Sequence, residues 1–199
     1  MKGVIFFDIG NVLVNFSHEK MYRQVSTVTN IPLDQIKNFF IDLGYVEKYE
    51  LGLVSENEIF EELSKLSKNT FSKKDLVAAG IDIFQESKTM FDLVSDLKKL
   101  GHRLILLSNT CYAHFHHKLK FMPIIKLFDE KILSFEKKLR KPDPKIYKLA
   151  LEMANREKSF YIDDVPEFVA VAKKTGLDAE VFKSAEELQE ALSEKGFII

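Results

Sequence analysis

Gly3-Val4-Ile5-Phe6-Phe7 runs straight into a charge, Asp8, and the reading of that stretch decides the fold. A short continuous apolar run, partly β-branched and partly aromatic, is the pattern of a strand buried on both faces. Such a strand needs neighbours, yet none comes at once. From about residue 17 to residue 85 the chain shows helical periodicity instead: Ile36, Phe39, Phe40 and Leu43 in one stretch, Ile59, Phe60, Leu63 and Leu66 in another. Ser55 with Glu58 three residues on is a capping box ahead of the second helix.

After residue 86 the texture alternates. Met90, Leu93, Val94, Leu97 and Leu100 share a helix face, with Gly101 as its stop. Residues 104–108 (LILLS), 131–135 (KILSF), 159–163 (SFYID) and 179–182 (AEVF) read as strands. Residues 144–154 and 166–176 read as helices, and Ser184 with Glu187 caps a last one. Strand–helix alternation means a parallel sheet covered on both faces. The expectation is therefore an α/β protein with a Rossmann-like parallel sheet. Residues 1–16 and 86–199 form its core, and residues 17–85 are a helical insertion that separates the first strand from the rest.

The 199 residues carry 29 Lys+Arg against 30 Asp+Glu, a net charge of −1, which removes any bulk electrostatic case for nucleic acid or an anionic membrane. Cys111 is the single cysteine, so there is no intramolecular disulfide and no thiolate metal cage. The opening MKGVIFFDIGNVLVNF is interrupted by Asp8 and reads neither as a signal peptide nor as a spanning helix, so the cytoplasm is the expected location.

Ligands of open parallel sheets bind outside the carboxyl ends of the strands. The residues at the end of each apolar run are therefore informative. Asp8 ends the first; Ser108, Asn109 and Thr110 come after the second; Arg140-Lys141-Pro142-Asp143-Pro144 comes after the third; Asp163 and Asp164 end the fourth. Together these offer a nucleophile, a phosphate clamp and a cation site. Any one of them alone is ordinarily a turn residue, a helix cap or a solvated charge.

The segments FFDIGNVLV (6–14), LLSNT (106–110), RKPDPKIY (140–147) and FYIDDVPE (160–167) resemble, in order and spacing, the motifs of the haloacid dehalogenase-like hydrolases. The likeness covers nearly the whole chain. The insertion, with YELGLVSENEIFEEL (49–63), resembles the C1-type cap of the subgroup that includes bacterial sugar-phosphate phosphatases and the N-terminal phosphatase domain of soluble epoxide hydrolases. The resemblance implies a Mg²⁺-dependent phosphatase acting on a small-molecule phosphate ester, possibly a sugar phosphate. Asp8 would be the nucleophile that forms an aspartyl-phosphate. Ser108, the Asn109 backbone amide and Lys141 would hold the phosphate. Asp8, the Gly10 carbonyl, Asp163 and Asp164 would hold the metal. Arg140 is expected to be a surface residue. Nothing in the sequence fixes the oligomeric state.

One position departs from the family pattern. Its phosphatases usually carry a second aspartate two residues after the nucleophile, and here that residue is Gly10. His18, Tyr49 and Glu50 are the candidates to supply the missing proton. Gly10 also leaves two other readings open: a metal-independent 2-haloacid dehalogenase, and a binding module that has lost activity. The acidic pair Asp163-Asp164 favours phosphoryl transfer, because a dehalogenase has no use for a metal site. His114, His116 and His117 are expected on a solvated or partly packed helix face. Phe39, Phe40, Tyr45 and Tyr49 are expected to pack within the cap, some of them lining a substrate pocket.

Overall fold

The computed structural model describes residues 2–198; residues 1 and 199, the outer ends of the expected core, lie outside the described residues. The chain opens with β1 (Val4–Phe7), every residue of which is buried, and then turns through residues 8–13 into β2 (Val14–Phe16). Helices α1 (His18–Thr29), α2 (Leu33–Lys37), α3 (Tyr45–Glu50), α4 (Glu56–Leu66) and α5 (Lys73–Ile81) come next. The chain returns along β3 (Phe84–Glu86), which pairs antiparallel with β2. This two-stranded ribbon lies at the foot of the helical insertion, where the sequence pattern predicts no strand.

Alternation then resumes through α6 (Lys88–Lys99), β4 (Arg103–Ser108), α7 (Tyr112–His117), β5 (Glu130–Leu133), α8 (Ser134–Lys137) and α9 (Pro144–Ala154). It closes with β6 (Ser159–Asp163), α10 (Pro166–Thr175), β7 (Ala179–Val181) and α11 (Ala185–Glu194). All five expected strands pair in one parallel sheet, in the order β5-β4-β1-β6-β7. The third is shorter than the expected 131–135, because Ser134 already begins α8.

The two faces of the sheet explain the continuous apolar runs. Ile5, Phe7, Leu104, Leu106, Phe160 and Ile162 point to one side and pack on α6 and α11. Val4, Phe6, Ile105, Leu107 and Tyr161 point to the other and pack on α9 and α10. Because successive strand side chains alternate, a strand covered on both sides has no polar face to show.

The helices of the insertion gather around a core of their own, including Met21, Val25, Ile36, Phe39, Phe40, Ile59 and Leu63. The Ser55–Glu58 capping box is present in both directions and starts α4. Two members of the periodic sets, Leu43 and Leu66, end up exposed at helix ends. Residues Asn38–Asp42 form a π-helical turn, which shifts the phase of the helix before Leu43. None of the described helices is long and apolar enough to cross a membrane.

Candidate active site

Parallel strands bring their carboxyl ends to one edge, and the central position of β1 puts Asp8 between the ends of β4 and β6. Lys141 reaches in from the loop before α9 and is almost wholly buried. Its Nζ lies 2.9 Å from Asp8 Oδ1 and 2.5 Å from Asp163 Oδ2. A buried ammonium is tolerable only when paired, and here two carboxylates share it. Burial pushes the ammonium down, but Asp8 and Asp163 together outweigh that and hold it above the ordinary lysine value. Asp8 is raised to about 6, first by burial and then by Asp163, with Lys141 and the Ser108 hydroxyl pulling the other way.

Asp163 is held from three sides. Its Oδ1 accepts the Val165 amide at 2.9 Å, and its Oδ2 accepts both Lys141 and the Tyr161 hydroxyl. Burial and the neighbouring carboxylates keep the Tyr161 phenol protonated, so it donates to Asp163. Asp164 is half-buried and accepts a hydrogen bond from the Asn11 side-chain amide at 3.3 Å. Neither aspartate caps α10, whose N-cap is Val165. Asp8, Asp163 and Asp164 each offer an oxygen within 4.8 Å of the others. Three carboxylates converging on one point, with a single internal lysine, form a hard oxygen donor set that suits a small divalent cation.

Gly10 sits in the turn after β1. The Leu13 and Val14 amides both bond the Ile9 carbonyl, and the Asn11 amide bonds the Val14 carbonyl. Among the described residues this turn makes no use of the Gly10 carbonyl. Ser108 is buried at the end of β4, beside Asp8. Asn109 has a second role that the sequence alone does not reveal. Its side chain clamps the backbone of Lys141, donating to the Lys141 carbonyl at 2.9 Å and accepting the Lys141 amide at 2.8 Å. Ser134 fixes the same loop by bonding both the amide and the carbonyl of Thr110.

Arg140 corrects the expectation of a free surface residue. It donates two hydrogen bonds to Glu50, at 3.2 and 2.9 Å, and ties α3 of the insertion to the loop that carries Lys141. Burial raises the Glu50 carboxyl, partly offset by Arg140. Two further contacts land nearby: Lys138 on the Gly52 carbonyl, and the Ala113 amide on the Tyr49 hydroxyl. Gly52 has φ +63°, and a Cβ there would stand 2.5 Å from the Phe135 carbonyl oxygen, so only glycine allows this approach. His114 turns inward against Phe84, whereas His117 lies outward and pairs with Glu56. Tyr161 is the site residue that motif reading passes over, although its spacing holds a signal: residues 161 and 163 share one side of a strand.

The family model of haloacid dehalogenase-like hydrolases matches residues 2–176. The chain belongs to that family. As a haloacid dehalogenase-like hydrolase it is 26% identical, over 179 residues (87% of this chain and 82% of the relative), to a phosphorylated carbohydrates phosphatase of Thermotoga maritima. Its fold matches that of a haloacid dehalogenase family enzyme from Bacteroides thetaiotaomicron solved with magnesium and inorganic phosphate. There the TM-score is 0.80 at 24% identity, covering 92% of this chain and 95% of that one. It also matches, at TM-score 0.62 and 15% identity, an L-2-haloacid dehalogenase from Xanthobacter autotrophicus with chloropropionic acid covalently bound, covering 100% of this chain and 85% of that one.

Proposed function

We propose that this hydrolase is a Mg²⁺-dependent phosphatase that cleaves small phosphate monoesters through an aspartyl-phosphate on Asp8. The observation that carries the reading is the convergence of Asp8, Asp163 and Asp164 around the buried Lys141. Asp8 Oδ2, the oxygen not engaged by Lys141, attacks phosphorus, the ester P–O bond breaks, and the leaving oxygen takes its proton from solvent water as the alcohol departs. Water then cleaves the acyl phosphate and frees Asp8 and inorganic phosphate. Splitting one hard hydrolysis in two is the advantage of such covalent catalysis. Lys141 steadies the negative charge of the transferring group, with Ser108 and the Asn109 amide as further donors. Asn109 acts a second time through its side chain, which fixes where Lys141 stands. Bound between Asp8, Asp163, Asp164 and the Gly10 carbonyl, Mg²⁺ would offset the repulsion between carboxylate and phosphate.

Residues 17–85 serve in this reading as a cap over the site, held down through Glu50, Gly52 and Tyr49. Of the three candidate proton carriers, Tyr49 and Glu50 already have partners on the core. His18 has no hydrogen-bond partner among the described residues and is left as the candidate. Burial lowers its pKa below 6.5, so at neutral pH it suits accepting a proton from the attacking water. The sugar-phosphate expectation is supported by the name of the Thermotoga relative and by no group of this site.

The dehalogenase reading draws on Gly10, but it leaves three clustered carboxylates without a task. The test is turnover of p-nitrophenyl phosphate with and without Mg²⁺. Metal-dependent hydrolysis that disappears in Asp8→Asn supports the phosphatase. Turnover of 2-chloropropionate insensitive to EDTA would overturn it.

A further inference from the structure

An apolar cavity lies between the insertion and the loops that carry the site. Its wall adjoins those loops at three points. Gly10 abuts the Phe16 ring, against which His18 packs edge-on at 4.8 Å, and His18 lines the cavity. Cys111 and Ala113, just beyond Ser108 and Asn109, form part of its wall. Glu50, also in the wall, is held by Arg140, the neighbour of Lys141. The cavity thus adjoins the site on the insertion side, while Asp8, Ser108, Lys141 and Asp163 themselves stand outside its lining.

Its lining sets the chemistry. Met21, Val25, Phe40, Ile59, Leu76 and Val77 supply carbon surface. The polar groups among them are mostly engaged: Tyr49 with the Ala113 amide, Glu50 with Arg140, and Glu56 with His117. Among the described residues of the lining, only the His18 and His114 imidazoles are left to meet a polar atom. A hexose would bring several hydroxyls here, and each one buried without a partner weakens binding by roughly tenfold.

Resting on the phosphatase reading above, we propose that the cavity is the leaving-group site and that it selects phosphate esters of apolar alcohols or phenols over sugar phosphates. The experiment compares kcat/KM of the wild-type protein with Mg²⁺ on ethyl, butyl and hexyl phosphate and on glucose 6-phosphate. All four are esters of primary alcohols. Acetyl phosphate, which needs no cavity, reports the phosphatase reading by itself. Each buried methylene is expected to raise kcat/KM by about fourfold until the cavity fills, so hexyl phosphate should exceed ethyl phosphate by at least about tenfold, with glucose 6-phosphate below butyl phosphate. If acetyl phosphate is consumed while the alkyl series is flat or undetectable, or glucose 6-phosphate matches or exceeds butyl phosphate, the cavity proposal fails and the phosphatase reading stands. If acetyl phosphate is untouched, both fall.

Discussion

Gly10 stands against the edge of the Phe16 ring: a Cβ on residue 10 would lie 2.5 Å from Phe16 Cε1. The ring is itself packed between His18 and Phe84, so it cannot swing away freely. The loss of a carboxylate at position 10 and the presence of an aromatic ring at position 16 are thus one feature, not two. Gly10→Asp alone is expected to destabilise the fold by about 1–3 kcal/mol through overpacking and to give little gain in turnover. Gly10→Asp with Phe16→Ala gives the carboxylate room, and kcat on ethyl phosphate should rise by roughly 10²-fold, the low end for a general acid. Urea midpoints and kcat of the two singles and the double check this; strictly additive effects would show that the ring is not the obstacle.

In the proposed mechanism Lys141 joins folding to chemistry. Lys141→Met leaves Asp8 and Asp163 buried beside each other without a cation, at an expected cost of about 3–5 kcal/mol in the metal-free protein. In that mechanism Mg²⁺ would replace the missing charge for folding but not the donor to the phosphoryl group. Melting temperature should therefore recover in part with Mg²⁺, while turnover stays down by roughly 10²-fold or more. Recovery of both together would make Lys141 a purely structural ion-pair partner.

Tyr161 donates to Asp163 inside the sheet and faces no solvent. Tyr161→Phe keeps the packing and removes one hydrogen bond to a charged group, which should cost about 1.5–3 kcal/mol. If the hydroxyl also orients Asp163 as a metal ligand, Mg²⁺ affinity measured by calorimetry falls as well, by roughly tenfold. Unchanged affinity with lowered stability would confine Tyr161 to the fold.

Much of this is legible in the sequence, for definite reasons. β1, β4 and β6 are buried on both faces, so each appears as an unbroken apolar run, and the polar residue ending each run marks the edge where ligands bind. The β2–β3 ribbon escapes such reading because Val14-Asn15-Phe16 and Phe84-Gln85-Glu86 are each too short for a period to register. Arg140 sits in a basic stretch whose ordinary fate is solvation, and Glu50 is 90 residues away, so nothing local reveals the pairing. The side-chain role of Asn109 depends on where the Lys141 backbone passes, which only the tertiary structure fixes.

As a metal ligand in the proposed site, Asp8 would couple metal binding to pH. Burial and Asp163 raise its carboxyl from 3.8 to about 6 in the folded protein. A raised carboxyl means that the folded state binds the proton more tightly than the unfolded chain. This group's contribution to stability is thus complete at low pH and is lost as pH rises through the interval between those two values. In the proposed site Mg²⁺ needs the ionised form and would reverse the trend. The rise in melting temperature on adding saturating Mg²⁺ is expected to be larger at about pH 7.5 than at about pH 5. Equal shifts at the two pH values would mean that Asp8 is not among the groups whose proton the metal displaces.

The Arg140–Glu50 contact links the insertion to the site-bearing loops, with two guanidinium N–H groups on one carboxylate oxygen in a largely buried setting. Such a charge-assisted pair exceeds a surface ion pair in strength, and its loss should release α3 from the loop of Lys141. Arg140→Ala is expected to lower kcat/KM for hexyl phosphate by roughly tenfold, because closure over the leaving group is weakened. Acetyl phosphate, which does not fill the space under the insertion, should be affected much less. Glu50→Gln should act in the same direction, and the double variant should be little worse than either single, giving a coupling of about 1 kcal/mol. Losses that multiply in the double variant would show that the two residues act separately, and that the insertion is held in place by Tyr49, Gly52 and Lys138 instead.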